Sequence, residues 1–182
     1  FRGAVTVFFS GLVAAMNPCP CGYHGSRQKA CRCGSHEIRK YLDRISGPLL
    51  DRIDIQVEVD AVPVEEVAAT SDAEDSETVR ERVVRARALQ AERFNGTGIR
   101  TNAQMTGKHV EELARLQSDA LSLLQRAMKQ YCFSMRAYNR LIKVARTIAD
   151  LRGVEGIGVP AMAEAIQYRR IDEKYWGSAR HV

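Results

Sequence analysis

Two patterns of apolar and polar positions in the first 60 residues predict strands, with a helix between them. An apolar run, Leu12–Met16, ends at Asn17-Pro18, and a short apolar run bounded by a turn signal predicts a buried strand. Residues 53–59, IDIQVEV, alternate with period two, which predicts a strand with one covered face. Ser35 is the predicted N-cap of a helix over residues 36–45. The inward positions of that helix are expected to be Ile38, Leu42 and Ile45.

From residue 77 onward the apolar positions recur with a helical period. The predicted helices, each with its start signal, are 77–94 (Asp75 or Ser76), 107–116 (Thr106), 119–131 (Ser118), 135–151 (Ser134) and one from Pro160 to about residue 170. The predicted fold class is α/β plus all-α, with few strands and mainly helical overall. We expect three parts: a strand-containing piece over residues 1–60, an acidic linker over 61–77 and a helical bundle over 78–182.

Charge adds a candidate partner to this picture. The chain has 182 residues and a net charge of +5, and no apolar run approaches the 18 residues of a membrane span. Residues 79–182 carry 19 Lys and Arg against 10 Asp and Glu, whereas residues 61–78 carry six acids and no Lys or Arg. A basic half is compatible with nucleic acid or nucleotide phosphates as a partner. Solvated helix faces are the alternative explanation.

Four cysteines lie within 15 residues and form the pattern C-x-C-x9-C-x-C. These are Cys19, Cys21, Cys31 and Cys33. Four thiolates can close a tetrahedral zinc site, although C-x-C is a tighter chelate than the usual C-x2-C. His24 or His36 could replace one sulfur, and a redox-active or disulfide-bonded cluster or free thiols remain alternatives. The clustering is unlike a secreted disulfide framework, so we expect a cytoplasmic protein. Cys132 is expected to be a small buried residue.

Three further polar residues have candidate roles in nucleotide chemistry. Asn17 follows the first strand and either begins a turn or orients a water or a phosphate oxygen. Arg52 is flanked by Asp51 and Asp54 and is either locally ion-paired or an arginine finger aimed at a neighbour's nucleotide; Arg44 is the second choice.

Arg136 is the third of these residues. It is unusual because a cation in the first turn of a helix opposes the helix dipole, by roughly 0.3–1 kcal/mol. An anion bound nearby would explain it. Arg140 and Lys143 lie on the same face, so a solvated basic stripe is the alternative.

The sequence lacks the motifs that bind a triphosphate. It contains no G-x-x-x-x-G-K-[ST], and no apolar strand ends in paired Asp-Glu for magnesium. We therefore expect purified residues 1–182 to have no significant ATPase activity, and robust turnover abolished by Arg52→Ala would contradict this.

Several long motifs, in order from about residue 12 to 176, resemble the carboxy-terminal half of the ComM/YifB family, bacterial AAA+ ATPases related to the magnesium-chelatase ATPase subunit. The motifs are AAMNPCPCG, CRC, RISGPLLDRIDIQVEV, NAQM, SMRAYNRLIKVARTIADL and AEAIQYRRID. Residues 1–11 depart from the family pattern, and FSMR departs slightly before its arginine.

The resemblance implies an AAA+ α/β core followed by a helical lid, with the chain beginning after Walker A and Walker B. It implies that Asn17 is sensor 1, Arg52 the arginine finger acting in trans and Arg136 the sensor-2 arginine. It also implies ATP and Mg²⁺ as ligands of the full-length protein, hexameric rings of identical subunits, and a DNA helicase that drives branch migration in natural transformation. The cysteine knuckle is typical of the family.

Two other functions remain open at this point. One is a chelatase-type motor that inserts a metal into a tetrapyrrole, and the other is a free-standing zinc-knuckle and helical binding module. We expect no membrane association, and residues 1–182 alone are expected to be monomeric.

Overall fold

The computed structural model describes residues 5–8, 11–60, 62 and 74–176, so most of the expected linker lies outside the described residues. The strands are β1 (Val5–Phe8) and β2 (Gly11–Ala14). The α-helices in the described part are α1 (Ser35–Leu42), α2 (Gly47–Leu50), α3 (Ser76–Arg93), α4 (Gly107–Leu113), α5 (Ser118–Gln130), α6 (Met135–Leu151), α7 (Val159–Gln167) and α8 (Ile171–Trp176). A 3₁₀ turn spans Asn102–Gln104. The expected mainly helical fold with few strands is confirmed.

The first predicted strand exists, but it is exposed and shorter than expected. β2 pairs antiparallel with β1, from Val5 opposite Ala14 to Phe8 opposite Gly11. Leu12 is 56% exposed and Val13 63% exposed. The prediction of a buried strand ending at Asn17 was therefore wrong.

The predicted strand over residues 53–59 is absent. Its apolar side chains face outward, with Ile55 52% and Val59 84% exposed. A strand needs a partner for its main-chain groups, and here the Gln56 N–H donates to the carbonyl oxygen of Tyr168, at 3.0 Å. The segment is an irregular chain that lies along the helical bundle.

Capping residues explain where the longer helices begin. The Asp75 carboxylate accepts from the Thr78 N–H at 2.7 Å to start α3, and Ser134 Oγ accepts from the Ala137 N–H at 3.2 Å to start α6. Both starts were predicted correctly. The cap of α1 is Gly34 rather than Ser35, and that of α5 is Gln117 rather than Ser118.

The end of the chain departs from prediction at two more places. The single last helix predicted to residue 170 is two helices, α7 and α8, separated at residues 168–170. Cys132 is exposed rather than buried, and it has a φ of 48° in the turn between α5 and α6.

The hydrophobic core lies in the helical part. Helix α6 packs against α3, α4 and α7, and α5 packs against α7. Three of the four inward positions predicted for α6 are buried, namely Leu141, Ala145 and Ile148. The other large buried side chains of the core include Leu124, Ile142, Ile157 and Met162. No helix of the described chain combines the length and the apolarity that a bilayer crossing requires.

Candidate functional site

The four clustered cysteines bring their sulfur atoms together. Cys19 Sγ lies 3.4 Å from Cys21 Sγ and 3.7 Å from Cys31 Sγ, and the Cys21–Cys31 separation is 3.6 Å. All four Sγ atoms, that of Cys33 included, lie within 4.8 Å of one another, and none of these cysteines is in a disulfide. A Zn–S bond of about 2.3 Å in a tetrahedron separates its sulfurs by roughly 3.8 Å. The observed spacing is close to that value, so the cluster could hold a metal ion.

The thiols of the cluster differ in acidity. The main-chain N–H groups of Arg32 and Tyr23 lower the pKa of Cys21 to about 6. Burial, with the neighbouring thiols, raises the pKa of Cys33 to about 12. The loop thus favours one thiolate, and a bound divalent cation would offset the repulsion that opposes the others.

Neither candidate histidine belongs to the cysteine cluster. The His24 ring lies edge-on to Tyr175 of α8, with 6.4 Å between the ring centroids, and His36 is exposed in the first turn of α1. The four sulfurs are the only group of three or more Cys, His, Asp or Glu side chains in the described residues that could hold a metal. A candidate Mg²⁺ site of carboxylates is therefore not found among them.

Asn17 lies beside the cysteine loop. It is exposed, three residues beyond the end of β2, and its side chain faces Gly22. Gly22 has a φ of 84° and closes a turn onto the Cys19 carbonyl oxygen; a Cβ added there would lie 3.6 Å from Asn17 Nδ2. The loop fold therefore limits where the Asn17 amide can lie, and among the described residues Asn17 forms no hydrogen bond with Arg52 or Arg136.

Arg52 is exposed, and its flanking acids bind other partners. Its side chain donates to the Pro48 carbonyl oxygen at 3.3 Å. Asp51 instead pairs with Arg169, and Asp54 pairs with Arg140. In the described part of the chain Arg52 forms no ion pair, so the alternative of a local ion pair is not what the structure has.

Arg136 is likewise exposed and forms no ion pair with a described residue. The other two cations of the predicted stripe are engaged: Arg140 binds Asp54, and Lys143 Nζ donates to the Ala103 carbonyl oxygen at 3.0 Å. Arg136 therefore differs from Arg140 and Lys143, which form contacts within the protein and are not simply solvated.

One contact brings Arg52 and Arg136 to the same region. Ser134 Oγ, the cap of α6, donates to the Asp51 carboxylate at 3.4 Å. Arg52 is the residue after Asp51, and Arg136 is two residues after Ser134. Both arginines can be singled out from the sequence, but the contact between Asp51 and Ser134 cannot. Its only signal in the sequence is the pair of acids around Arg52.

Both parts of the chain match families of known proteins. The family described as "Magnesium chelatase, subunit ChlI C-terminal" matches residues 73–169, and "Magnesium chelatase, subunit ChlI" matches residues 6–67. The chain belongs to the magnesium chelatase family. The ChlI match contains Asn17, Arg52 and the four clustered cysteines, and the ChlI C-terminal match contains Arg136.

This magnesium chelatase family chain also has close relatives of greater length. It is 40% identical over 159 residues to competence protein ComM of Haemophilus influenzae, an alignment that covers 87% of the chain and 30% of ComM. It is 37% identical over 162 residues to YifB of Escherichia coli, covering 88% of the chain and 31% of YifB. The predicted resemblance to ComM and YifB is confirmed, and the chain spans about 30% of the length of these relatives.

Proposed function

We propose that this chain is part of an ATP-hydrolysing motor of the ComM type, in which Arg52 and Arg136 bind the phosphates of one nucleotide. The observation that carries the proposal is that both arginines are exposed and form no ion pair with a described residue. They also lie on either side of the Asp51–Ser134 contact. Two guanidinium groups that reach the same phosphates form a natural anion site. The nucleotide is ATP with Mg²⁺ in the full-length protein.

The three named residues have separate roles in this proposal. Negative charge spreads over the equatorial oxygens as a phosphoryl group is transferred, and a fixed guanidinium stabilises it. Arg52 acts in trans as the arginine finger on a neighbouring subunit's ATP, and Arg136 as sensor 2 contacts the same phosphates. Asn17 is sensor 1 and orients the attacking water in its own subunit. Subunits of a ring, hexameric as in the proposed family, supply these groups to each other.

The experiment is steady-state ATP hydrolysis by the full-length protein with Arg52→Ala or Arg136→Ala. We expect Arg52→Ala to lower kcat by about 10³-fold or more, the usual contribution of an arginine finger. Arg126→Ala is the matched control, because Arg126 is an exposed arginine of α5 that forms no ion pair with a described residue. Unchanged kcat in both variants would refute the nucleotide role.

A mixing experiment tests the action in trans. Arg52→Ala subunits retain their own nucleotide site, so subunits that cannot bind ATP but keep Arg52 should restore part of the activity. No recovery in rings shown by native mass spectrometry to contain both subunits would contradict a finger that acts on the neighbour.

We also propose that the cysteine cluster binds a structural Zn²⁺ through Cys19, Cys21, Cys31 and Cys33. The support is that the Sγ atoms of Cys19, Cys21 and Cys31 lie 3.4 to 3.7 Å apart, that Cys33 Sγ lies within 4.8 Å of them, and that none of the four is in a disulfide. Metal analysis should find one zinc per chain. The pair of substitutions Cys19→Ser and Cys21→Ser should abolish it, while Cys132→Ser should not. Four freely titratable thiols and no zinc would refute the site.

DNA is the proposed partner of the motor, with branch migration as its work. The cysteine loop supports a polyanionic partner, since Arg27, Lys29 and Arg32 are exposed and residues 18–36 contain no acid. Binding of a fluorescent single strand by the full-length protein should weaken steeply with salt. Substituting the three cations by Gln should reduce the salt slope. Indifference to DNA would favour the chelatase-type motor, which the family match also supports.

A further inference from the structure

Arg169 holds the chain on both sides of Arg52. This buried arginine lies between α7 and α8. Its Nη1 donates to the Ile53 carbonyl oxygen at 2.6 Å, and its Nη2 donates to the Asp51 carboxylate at 3.0 Å. One guanidinium therefore binds the residue before Arg52 and the residue after it.

Further contacts attach the residues around Arg52 to the helical bundle. The Gln56 N–H donates to the carbonyl oxygen of Tyr168, the residue before Arg169, and Asp54 pairs with Arg140 of α6. Asp51 is shared, because its other carboxylate oxygen accepts from Ser134 Oγ. Main-chain atoms around Arg52 are thus fixed to the helical bundle, although the residues form no regular strand.

We propose that Arg169 is a positioning residue that fixes Arg52, so that this arginine meets the phosphates of its nucleotide. This inference rests on the proposed function. The lid helices would then set the position of the finger that enters the neighbouring subunit. A change in the lid would reach the neighbour's ATP through the Arg169–Asp51 contact.

The geometry requires an arginine at this position. The planar fork offers two parallel donors to two acceptors that belong to different residues, Asp51 and Ile53. A lysine keeps the charge but presents a single ammonium and cannot hold both acceptors in the same way. Arg169→Lys is therefore the informative variant, since it is less disruptive than removal of the buried charge.

The first measurement is hydrogen exchange on the 182-residue chain. In Arg169→Lys we expect the Gln56 amide to exchange at least about 10-fold faster, because its segment is released, while amides within α5 stay protected. Arg152→Lys is the matched control, an arginine of the same bundle that pairs with Glu164. Equal protection of Gln56 in Arg169→Lys and in the unmodified chain would overturn the attachment.

The second measurement is a kinetic cycle in the full-length protein. A misplacement of about 1 Å can cost roughly 100-fold in rate, so Arg169→Lys should lower kcat by about that factor with little change in the KM for ATP. Added to Arg52→Ala, it should cause no further loss, because a residue that acts through Arg52 has nothing left to position.

The outcomes separate the two proposals. Unchanged kcat in Arg52→Ala would overturn the proposed function and this inference with it. A large loss in Arg52→Ala with none in Arg169→Lys would overturn only the positioning role. Losses that multiply in the double variant would also overturn the positioning role, because a merely structural residue lowers activity whether or not Arg52 is present.

Discussion

At the scale of single residues, Asp150 is a buried acid with several charged and polar partners. Its buried carboxylate accepts from Arg93 Nη1 at 2.9 Å, from Arg146 Nε at 3.1 Å and from Asn102 Nδ2 at 2.7 Å. Arg146 also donates to the Glu155 carbonyl oxygen, so the cluster links α6 to the loop that follows it. One buried acid therefore holds together α3, the 3₁₀ turn and α6.

Asp150→Ala should destabilise the chain by about 3–5 kcal/mol, because it leaves the buried Arg146 without its acid. Urea unfolding followed by circular dichroism measures this. Glu112→Gln is the matched control: it removes an exposed acid whose pair with Lys108 spans 3.9 Å, and should cost less than about 1 kcal/mol. A loss below about 1 kcal/mol in Asp150→Ala would mean that water or a rearranged partner replaces the acid.

Candidate residues could be predicted more readily than their partners. The sequence singles out Arg52 and Arg136 as candidates, because an arginine between acids and a cation at a helix start are local signals. An ion pair of Arg52 with a flanking acid was one of the two alternatives for that residue, whereas Asp51 in fact binds Arg169 across a separation of 118 residues. Nothing in the local spacing specifies a partner so distant in the chain.

At the scale of elements, two helices begin with caps that respond differently to pH. Asp75 caps α3 with a carboxylate, and hydrogen bonds from Thr78 lower its pKa below the ordinary value of 3.8. Ser134 caps α6 with a hydroxyl that does not titrate in this range. An acid with a lowered pKa stabilises the folded state above its unfolded pKa, and that stabilisation is lost as the pH falls through the folded value.

We therefore expect the first turn of α3 to fray as the pH falls below about 4, while the first turn of α6 stays intact. The measurement is the protection factor of the Thr78 amide at pH 5 and pH 3, with the Ala137 amide as the internal reference. In Asp75→Asn the pH dependence should disappear. Parallel loss of protection at both amides would point to global acid unfolding instead.

Helices could be predicted from the sequence more completely than strands: β2 overlaps the predicted strand at residues 12–14, but no strand forms over residues 53–59. A helix satisfies its own main-chain groups, so the Ser134 cap and apolar spacing were enough to locate α6. A strand depends on a partner, and the alternation of residues 53–59 carried no information about one. In the structure, the carbonyl oxygen of Tyr168 and the guanidinium of Arg169 bind the main chain of this segment, as a partner strand would have done.

At the scale of the whole molecule, the cysteine cluster and the hydrophobic core are separate. The core cluster of buried residues runs from Phe94 to Ile166 and includes no cysteine. The loop approaches the bundle through the His24–Tyr175 ring contact, and α1 through the bond from Trp176 Nε1 to the Leu42 carbonyl oxygen at 3.1 Å. Removing a metal from the cysteines should therefore unfold the loop and leave the bundle intact.

The corresponding experiment treats the 182-residue chain with a zinc chelator. Amides of residues 19–33 should lose protection, because a bound metal supplies the folding free energy of a small loop that has no core of its own. The melting temperature of the bundle should change by less than about 3 °C, which corresponds to about 1 kcal/mol in a chain of this size. A chelator that melts the bundle would show that the metal supports the core as well. One that changes no amide would contradict the zinc site itself.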